Sequence, residues 1–105
     1  MEKLSFTPEQ AREILKQWTE HAEEAAMLLK ALGHPARVLI LQIIRQSQCN
    51  VTTLEQALGI SQSSASQHLR VLRMAGLVEP LREGKEICYR IVDERVFKIL
   101  DIFYS

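Results

Sequence analysis

Hydroxyl and amide side chains are concentrated in one short segment of the chain, residues 61–73. At 3.6 residues per turn, a helix in this segment has Ala65, Leu69 and Leu72 on one face. Short polar side chains let a helix enter the DNA major groove closely, where glutamine pairs with adenine through two hydrogen bonds and serine donates or accepts. The segment therefore predicts a helix that reads base edges, with a solvated surface helix as the alternative. The polar face of this helix carries Gln62, Ser63, Ser66, Gln67 and Arg70.

The bulk composition is that of one folded domain, which we expect to span residues 1–105. Of the 105 residues, 47% are apolar and 25% are charged, as in ordinary folded proteins. The formal net charge is zero, but the charges are unevenly placed. Residues 1–30 hold six acidic and four basic side chains, whereas residues 61–90 hold five basic and three acidic ones. The polar segment thus lies in the basic part of the chain.

The sequence predicts a cytoplasmic protein without a membrane partner. It has no run of eighteen or more apolar residues, and residues 1–4, Met-Glu-Lys-Leu, lack the order of a signal peptide. In a reducing compartment, Cys49 and Cys88 are expected to be thiols and not a structural disulfide.

Capping residues mark the first two helices. Thr7, followed by Pro8 and by Gln10 three positions on, predicts a capping box at the start of a long helix. Gly33 predicts a left-handed stop at its end. Pro35 opens a second helix that is apolar on more than one side, so we expect it to be central.

Two further helices follow, joined by a tight turn. Thr52 and Glu55 predict a second capping box and a short helix over Thr53–Leu58, which ends at Gly59. The polar helix comes next and is expected to end at Gly76 with another left-handed residue.

The residue pattern then changes to that of strands. Residues 77–81 and 87–91 flank the charged segment 82–85, which contains a glycine, and this predicts a β-hairpin. If Ile87 and Tyr89 face the core, Cys88 and Arg90 face away from it.

These elements predict a fold that is mainly α with a small β-hairpin, a winged helix-turn-helix. Asp93 caps a last helix whose apolar residues exceed what a small domain can cover, as do those of the long first helix. We therefore expect a homodimer that pairs through the first and last helices, with Leu100 in the interface. Such a dimer offers two polar helices about 34 Å apart, which suits double-stranded DNA carrying an inverted repeat. Arg82 and Lys85 on the wing would reach flanking phosphates.

Three segments in order closely resemble the ArsR family of winged-helix transcription factors: residues 28–37 (LLKALGHPAR), 58–69 (LGISQSSASQHL) and 72–78 (LRMAGLV). The resemblance implies a homodimeric repressor that binds operator DNA and leaves it when an inducer binds. From their charge or their position on the polar helix and the wing, we also expect four further residues to contact DNA: Ser64, Arg70, Arg82 and Lys85. The groove-contacting stretch of the family corresponds by position to Ser61, Gln62, Ser63, Ser66 and Gln67.

The inducer sites of the family are not matched in their usual form. Metal-sensing members that use a Cys-x-Cys pair have it where this chain has Asn50 and Thr52. Members that bind zinc or nickel across the last helices have a ligand at Asp93 but a histidine where Arg95 stands. Thiol sensors have their first cysteine at the position of Gln42. The resemblance therefore predicts no metal site, and it leaves the inducer unidentified.

Two cysteines remain as candidates for redox sensing, Cys49 and Cys88. No motif for a cofactor or a catalytic site is present: there is no glycine-rich phosphate loop and no closely spaced Cys, His and Asp set. We expect no enzyme activity and no cofactor. The alternative function is a winged-helix protein-interaction module without DNA binding.

Overall fold

The computed structural model describes residues 5–47 and 50–104. In that part of the chain the hairpin strands are antiparallel, with Val78 opposite Ile91 and Glu83 opposite Glu86. The predicted class, mainly α with one small β-hairpin, is confirmed. In chain order the elements are α1 (Pro8–Leu32), α2 (Pro35–Gln46), α3 (Val51–Leu58), α4 (Gln62–Met74), β1 (Val78–Glu83), β2 (Glu86–Ile91) and α5 (Glu94–Phe103).

The predicted start of α1 is confirmed, but the predicted nature of its end is wrong. Thr7 Oγ1 accepts a hydrogen bond from the Gln10 main-chain N–H (3.2 Å), and Gln10 Oε1 accepts one from the Thr7 N–H (3.0 Å). At the other end Gly33 has φ −79°, outside the left-handed region. The helix stops there because the next residue, His34, is extended, as a residue that precedes a proline usually is.

Helix α2 is the centre of the fold, as predicted. Its residues Ile40, Leu41 and Ile44 are buried, and it contacts α1, α3, α4, α5 and β2. Burial of such side chains is the main favourable term in folding. The core around α2 is made by Leu28, Ala31, Leu32, Leu54, Leu69, Leu72, Leu77, Val78, Val96 and Leu100.

Helix α3 begins earlier than its predicted capping box at Thr52 and Glu55, so that prediction is wrong. Asn50 is the N-cap, and its Oδ1 accepts a hydrogen bond from the Thr53 main-chain N–H at 2.8 Å. Asparagine is among the best N-cap residues, and here it satisfies a first-turn N–H before Thr52 is reached. Gly59, with φ 65°, ends this helix in the predicted left-handed conformation.

The cap gives a stability prediction. Replacing Asn50 by alanine should lower the free energy of unfolding by about 1 kcal/mol, because the Thr53 N–H loses its acceptor. Thr52→Ala is the matched control and should change it by less than about 0.5 kcal/mol, since the exposed Thr52 lies inside the helix. Urea denaturation measures both, and a larger loss for Thr52→Ala would contradict this assignment of the cap.

The facing of the hairpin differs from the prediction at Cys88 and Ile87, whereas Tyr89 packs against the core and Arg90 is exposed, as expected. Cys88 is buried, with 6% of its surface exposed, while Ile87 is 43% exposed and Tyr89 is partly buried. The reason is tertiary: β2 lies between β1 and Asn50, which forms a β-bridge with Cys88, so a small side chain faces inward there. Tyr89 also lines a groove beside α4.

The two terminal helices are partly unsupported within one subunit. None of residues 8–27 in α1 is buried, and the molecule is 59 Å long but only 27 and 22 Å across. In α5, Leu100 is 2% exposed and belongs to the subunit's own core, so its predicted place in an interface is wrong. The next turn carries the apolar surface outward, because Ile102 and Phe103 are 74% and 75% exposed.

Among the described residues, no single helix is both long and apolar enough to cross a membrane. Only α1 and α2 taken together, bent by 88° at the break between them, meet those criteria.

Candidate nucleic-acid interface

Helix α4 has the two faces expected from its sequence. Ala65, Leu69 and Leu72 are buried in the core, and Ser64 is half-buried beside them. No hydrogen bond within residues 5–47 and 50–104 uses the side chains of Gln62, Ser66 or Gln67, so these groups are available to a partner. The exposed face carries Gln62, Ser63, Ser66, Gln67 and Arg70.

The start of α4 is held by its own serines. Ser61 is the N-cap, and its Oγ accepts a hydrogen bond from the Ser64 main-chain N–H at 3.1 Å. The hydroxyl groups of Ser61 and Ser63 lie 3.2 Å apart. The cap fixes the first turn, whose remaining N–H groups and positive dipole end favour an approaching phosphate.

The wing carries cations at its tip. Arg82 and Lys85 are exposed on either side of the turn, where Gly84 has φ 63°, a conformation that glycine adopts readily. Neither side chain makes an ion pair with any described residue. By contrast, Arg90 further down the wing is bonded to Glu79 on the opposite strand, with Nε to Oε1 at 2.7 Å. The two tip cations, which share the turn with the exposed Glu83 and Glu86, are therefore available to a partner, whereas Arg90 is paired.

A groove of about 560 Å³ runs between α4, the start of α3 and the strand β2. Arg70 and Arg73 lie along it, both exposed, and neither has an ion-pair partner in the described part of the chain. Tyr89 lines the opposite wall. A groove with two uncommitted guanidinium groups suits a phosphate, which arginine can bind through two hydrogen bonds.

Arg73 and Tyr89 were missed by sequence reasoning. Arg73 lies seven positions after Ser66 and three after Arg70, so helical periodicity alone places it on the same face. The place of Tyr89 beside α4 could not be predicted from the sequence, because it depends on how the hairpin packs against the helices.

Comparison with known proteins decides the class. The model of the arsR family of bacterial regulatory proteins matches residues 34–80. The biofilm growth-associated repressor of Agrobacterium fabrum is 40% identical over 86 residues, which are 82% of this chain and 74% of that protein. The chain belongs to the ArsR family. It is thus a DNA-binding transcriptional regulator, and the protein-contact alternative is not favoured.

Solved structures of the family have the same fold. The crystal structure of NolR from Sinorhizobium fredii superposes with a TM-score of 0.75 at 37% identity, covering 97% of this chain and 92% of that one. A homodimeric winged helix-turn-helix DNA-binding domain from Mycobacterium bovis, described as a possible ArsR-family regulator, gives 0.73 at 28% identity, covering 97% and 85%. The winged helix-turn-helix prediction is confirmed.

At the last-helix position used by metal-sensing ArsR members, this chain has an ion-pair network. Both oxygens of Asp93 accept hydrogen bonds from Arg95, and Arg95 Nη1 also lies 3.1 Å from Glu24 Oε1 on α1. Hydrogen bonds from Arg95 hold the pKa of the Asp93 carboxyl below its usual value. Both oxygens of the Asp93 carboxylate are thus engaged by Arg95 and not free to bind a metal ion.

The remaining candidate sensing positions do not form a recognisable inducer site among the described residues. Cys49 lies outside the described residues, and the burial of Cys88 disfavours a sensing role, because reactive thiols are accessible. Gln42 has a buried Oε1 without a hydrogen-bond partner in the described chain. No group of three or more potential metal ligands is found among residues 5–47 and 50–104.

Proposed function

We propose that this ArsR-family regulator is a homodimeric repressor that binds an inverted-repeat operator and leaves it when an inducer binds. Residues 1–105 form, in this proposal, one winged-helix domain with dimerisation helices at both ends. The observation that carries it is the exposed hydroxyl and amide face of α4, beside a wing whose tip cations have no acidic partner in the described chain.

The proposed contacts divide into base readers and phosphate binders. Gln62, Ser66 and Gln67 have exposed side chains with unused hydrogen-bonding groups, which suits base edges. Ser61, Ser63 and Ser64 lie at the first turn, where the capped backbone approaches the groove most closely. Phosphates of the flanking backbone are assigned to Arg70, Arg73, Arg82 and Lys85.

Dimerisation is supported by apolar surface that one subunit leaves uncovered. Leu15 and Trp18 are exposed on α1, within residues 8–27, none of which is buried in the single subunit. A further apolar groove of about 410 Å³ lies between α1, α2 and α5, with Leu29 and Phe103 on its walls. Large exposed apolar side chains and an apolar groove are typical of interaction surfaces, so a second copy of α1 and α5 is the proposed cover.

A salt titration tests the proposal against a protein-contact function. The logarithm of the association constant for DNA from the gene's own upstream region should fall linearly with the logarithm of the salt concentration, because several phosphates release counterions. A flat dependence, or no binding to that DNA, would overturn the DNA-binding proposal.

One cation allows a sharper prediction. Arg73→Ala should weaken binding to operator and to unrelated DNA alike, and it should reduce the log–log salt slope by about 1, because a phosphate contact carries no sequence information. Arg12→Ala is the matched control, since Arg12 is an exposed arginine of α1 far along the chain from the groove. An unchanged slope in Arg73→Ala would remove Arg73 from the phosphate set.

Inducer identity is addressed by footprinting the operator with zinc, cadmium, arsenite, an oxidant or polysulfide added in turn. Release by one of them would support induction and name its chemistry. A footprint that persists with all five would contradict induction by these metals and thiol reagents.

A further inference from the structure

A cluster of three basic side chains joins α4 to the corner between α1 and α2. Arg37 of α2 lies at its centre. Its Nε donates to the Ala31 main-chain oxygen at 2.6 Å, and its Nη2 donates to that of Lys30 at 3.4 Å. Its Nη1 lies 3.3 Å from Nδ1 of His68, which belongs to α4. One guanidinium therefore links the end of α1, the start of α2 and the middle of α4.

The proton positions in this cluster follow from the donor chemistry. A guanidinium group can only donate, so His68 Nδ1 must accept and carry no proton. His34 Nδ1 likewise accepts from the Ala36 main-chain N–H at 3.0 Å and caps α2. The two imidazole rings are in contact, with centroids 4.5 Å apart. His68 must thus be neutral for its bond to Arg37 to exist.

The charges around His68 all oppose its protonation. The titratable or charged groups that face it are His34 and Arg37. Helix α1 contributes main-chain oxygens of Lys30 and Ala31, and the Lys30 side chain adds another positive charge in that turn. No carboxylate among the described residues is bonded to the cluster. Burial, then His34, then the charge of Arg37 lower the pKa of His68 from the ordinary 6.5.

Resting on the proposed function, we propose that the His34–Arg37–His68 cluster positions α4 for DNA, and that proton uptake by His68 weakens operator binding. Protonated His68 loses its bond to Arg37 and places two cations side by side. His68 follows directly after Gln67 in the helix that carries the base-reading face. A shift of α4 relative to α2 therefore moves that face.

The sign of the effect is distinctive. Added positive charge near DNA would by itself tighten binding as pH falls, because it attracts phosphates. The cluster predicts the opposite. Because folding favours neutral His68, the stability that the cluster provides is present above pH 6.5 and is lost as pH falls below it.

The test measures operator affinity of the whole protein at pH 8 and pH 5.5 at one ionic strength, using the DNA footprinted above. Wild type should lose about tenfold in affinity at the lower pH. The affinity of the double variant His34→Asn, His68→Asn should change by less than about threefold between the two pH values. Asparagine retains a neutral acceptor and caps helices well, but it does not titrate. His68→Ala should be weaker at pH 8, and His68→Asn should restore the affinity.

The exposed His21 on α1 supplies the control, because His21→Asn should keep the wild-type response to pH. A double variant that responds to pH as wild type does, or a wild type that binds equally or more tightly at pH 5.5, would overturn the inference alone. Failure of wild type to bind at pH 8 would overturn the proposed function together with it. Circular dichroism melting at pH 8 shows that each variant is folded.

Discussion

Phe103→Asp is expected to convert the protein from a dimer into a monomer and to weaken operator binding severely. Phe103 lies at the end of α5 with 75% of its surface exposed, and it lines the apolar groove next to Leu29. In the proposed dimer this side chain is covered by the partner, and a buried carboxylate without a cation would be costly there. Loss of the second half-site should reduce the operator affinity by about 10²- to 10⁴-fold, which is the usual gain from linking two binding modules.

Analytical ultracentrifugation gives the oligomeric state, and a gel-shift assay gives the affinity. Ile87→Asp is the matched control for assembly, because Ile87 is an exposed apolar residue on the wing and should leave the dimer intact. Phe103 is a better choice than the buried Leu100, whose replacement would unfold the subunit. If Phe103→Asp still sediments as a dimer, α5 is not in the interface.

The second large effect is expected at the base-reading face. Gln62→Ala and Ser66→Ala should each weaken operator binding by about 1–3 kcal/mol, because each removes a hydrogen bond to a base edge. Both side chains are exposed and make no hydrogen bond within the described chain, so their removal should not destabilise the fold. Affinity for unrelated DNA should stay nearly constant, since phosphate contacts provide it.

Competition binding with operator and random duplexes measures the two affinities together. Gln46→Ala is the control for glutamine removal, because Gln46 is exposed at the end of α2. Equal losses on both duplexes would mean that Gln62 and Ser66 do not read bases.

Local signals in the sequence were sufficient for much of this fold. The alternation of buried and exposed residues in α4 follows from the spacing of Ala65, Leu69 and Leu72, and the caps at Thr7 and Asp93 were visible as residue types. The cap at Asn50 was misplaced because two competing capping residues lie two positions apart. Local preference alone does not choose between them.

Tertiary contacts explain the rest. The facing of Cys88 and Tyr89 depends on the approach of Asn50 to β2, a contact between residues far apart in the sequence. A strand with apolar residues at 87, 88 and 89 has no clear alternation, so its two faces cannot be assigned in isolation. For the same reason Tyr89 was missing from the predicted interface. The ring contact between His34 and His68 likewise joins distant segments.

Because residues 8–27 of α1 are largely exposed in one subunit, the stability of the protein should depend on dimer association. None of residues 8–27 is fully buried in one subunit, and most of the stability of a helix in a protein comes from packing of its apolar face. In the proposed dimer, association supplies the missing stabilisation, so apparent thermal stability rises with protein concentration. At low protein concentration, newly synthesised monomers would then expose a partly unfolded α1 to cellular proteases. At higher concentration, dimer formation would protect α1 from cleavage.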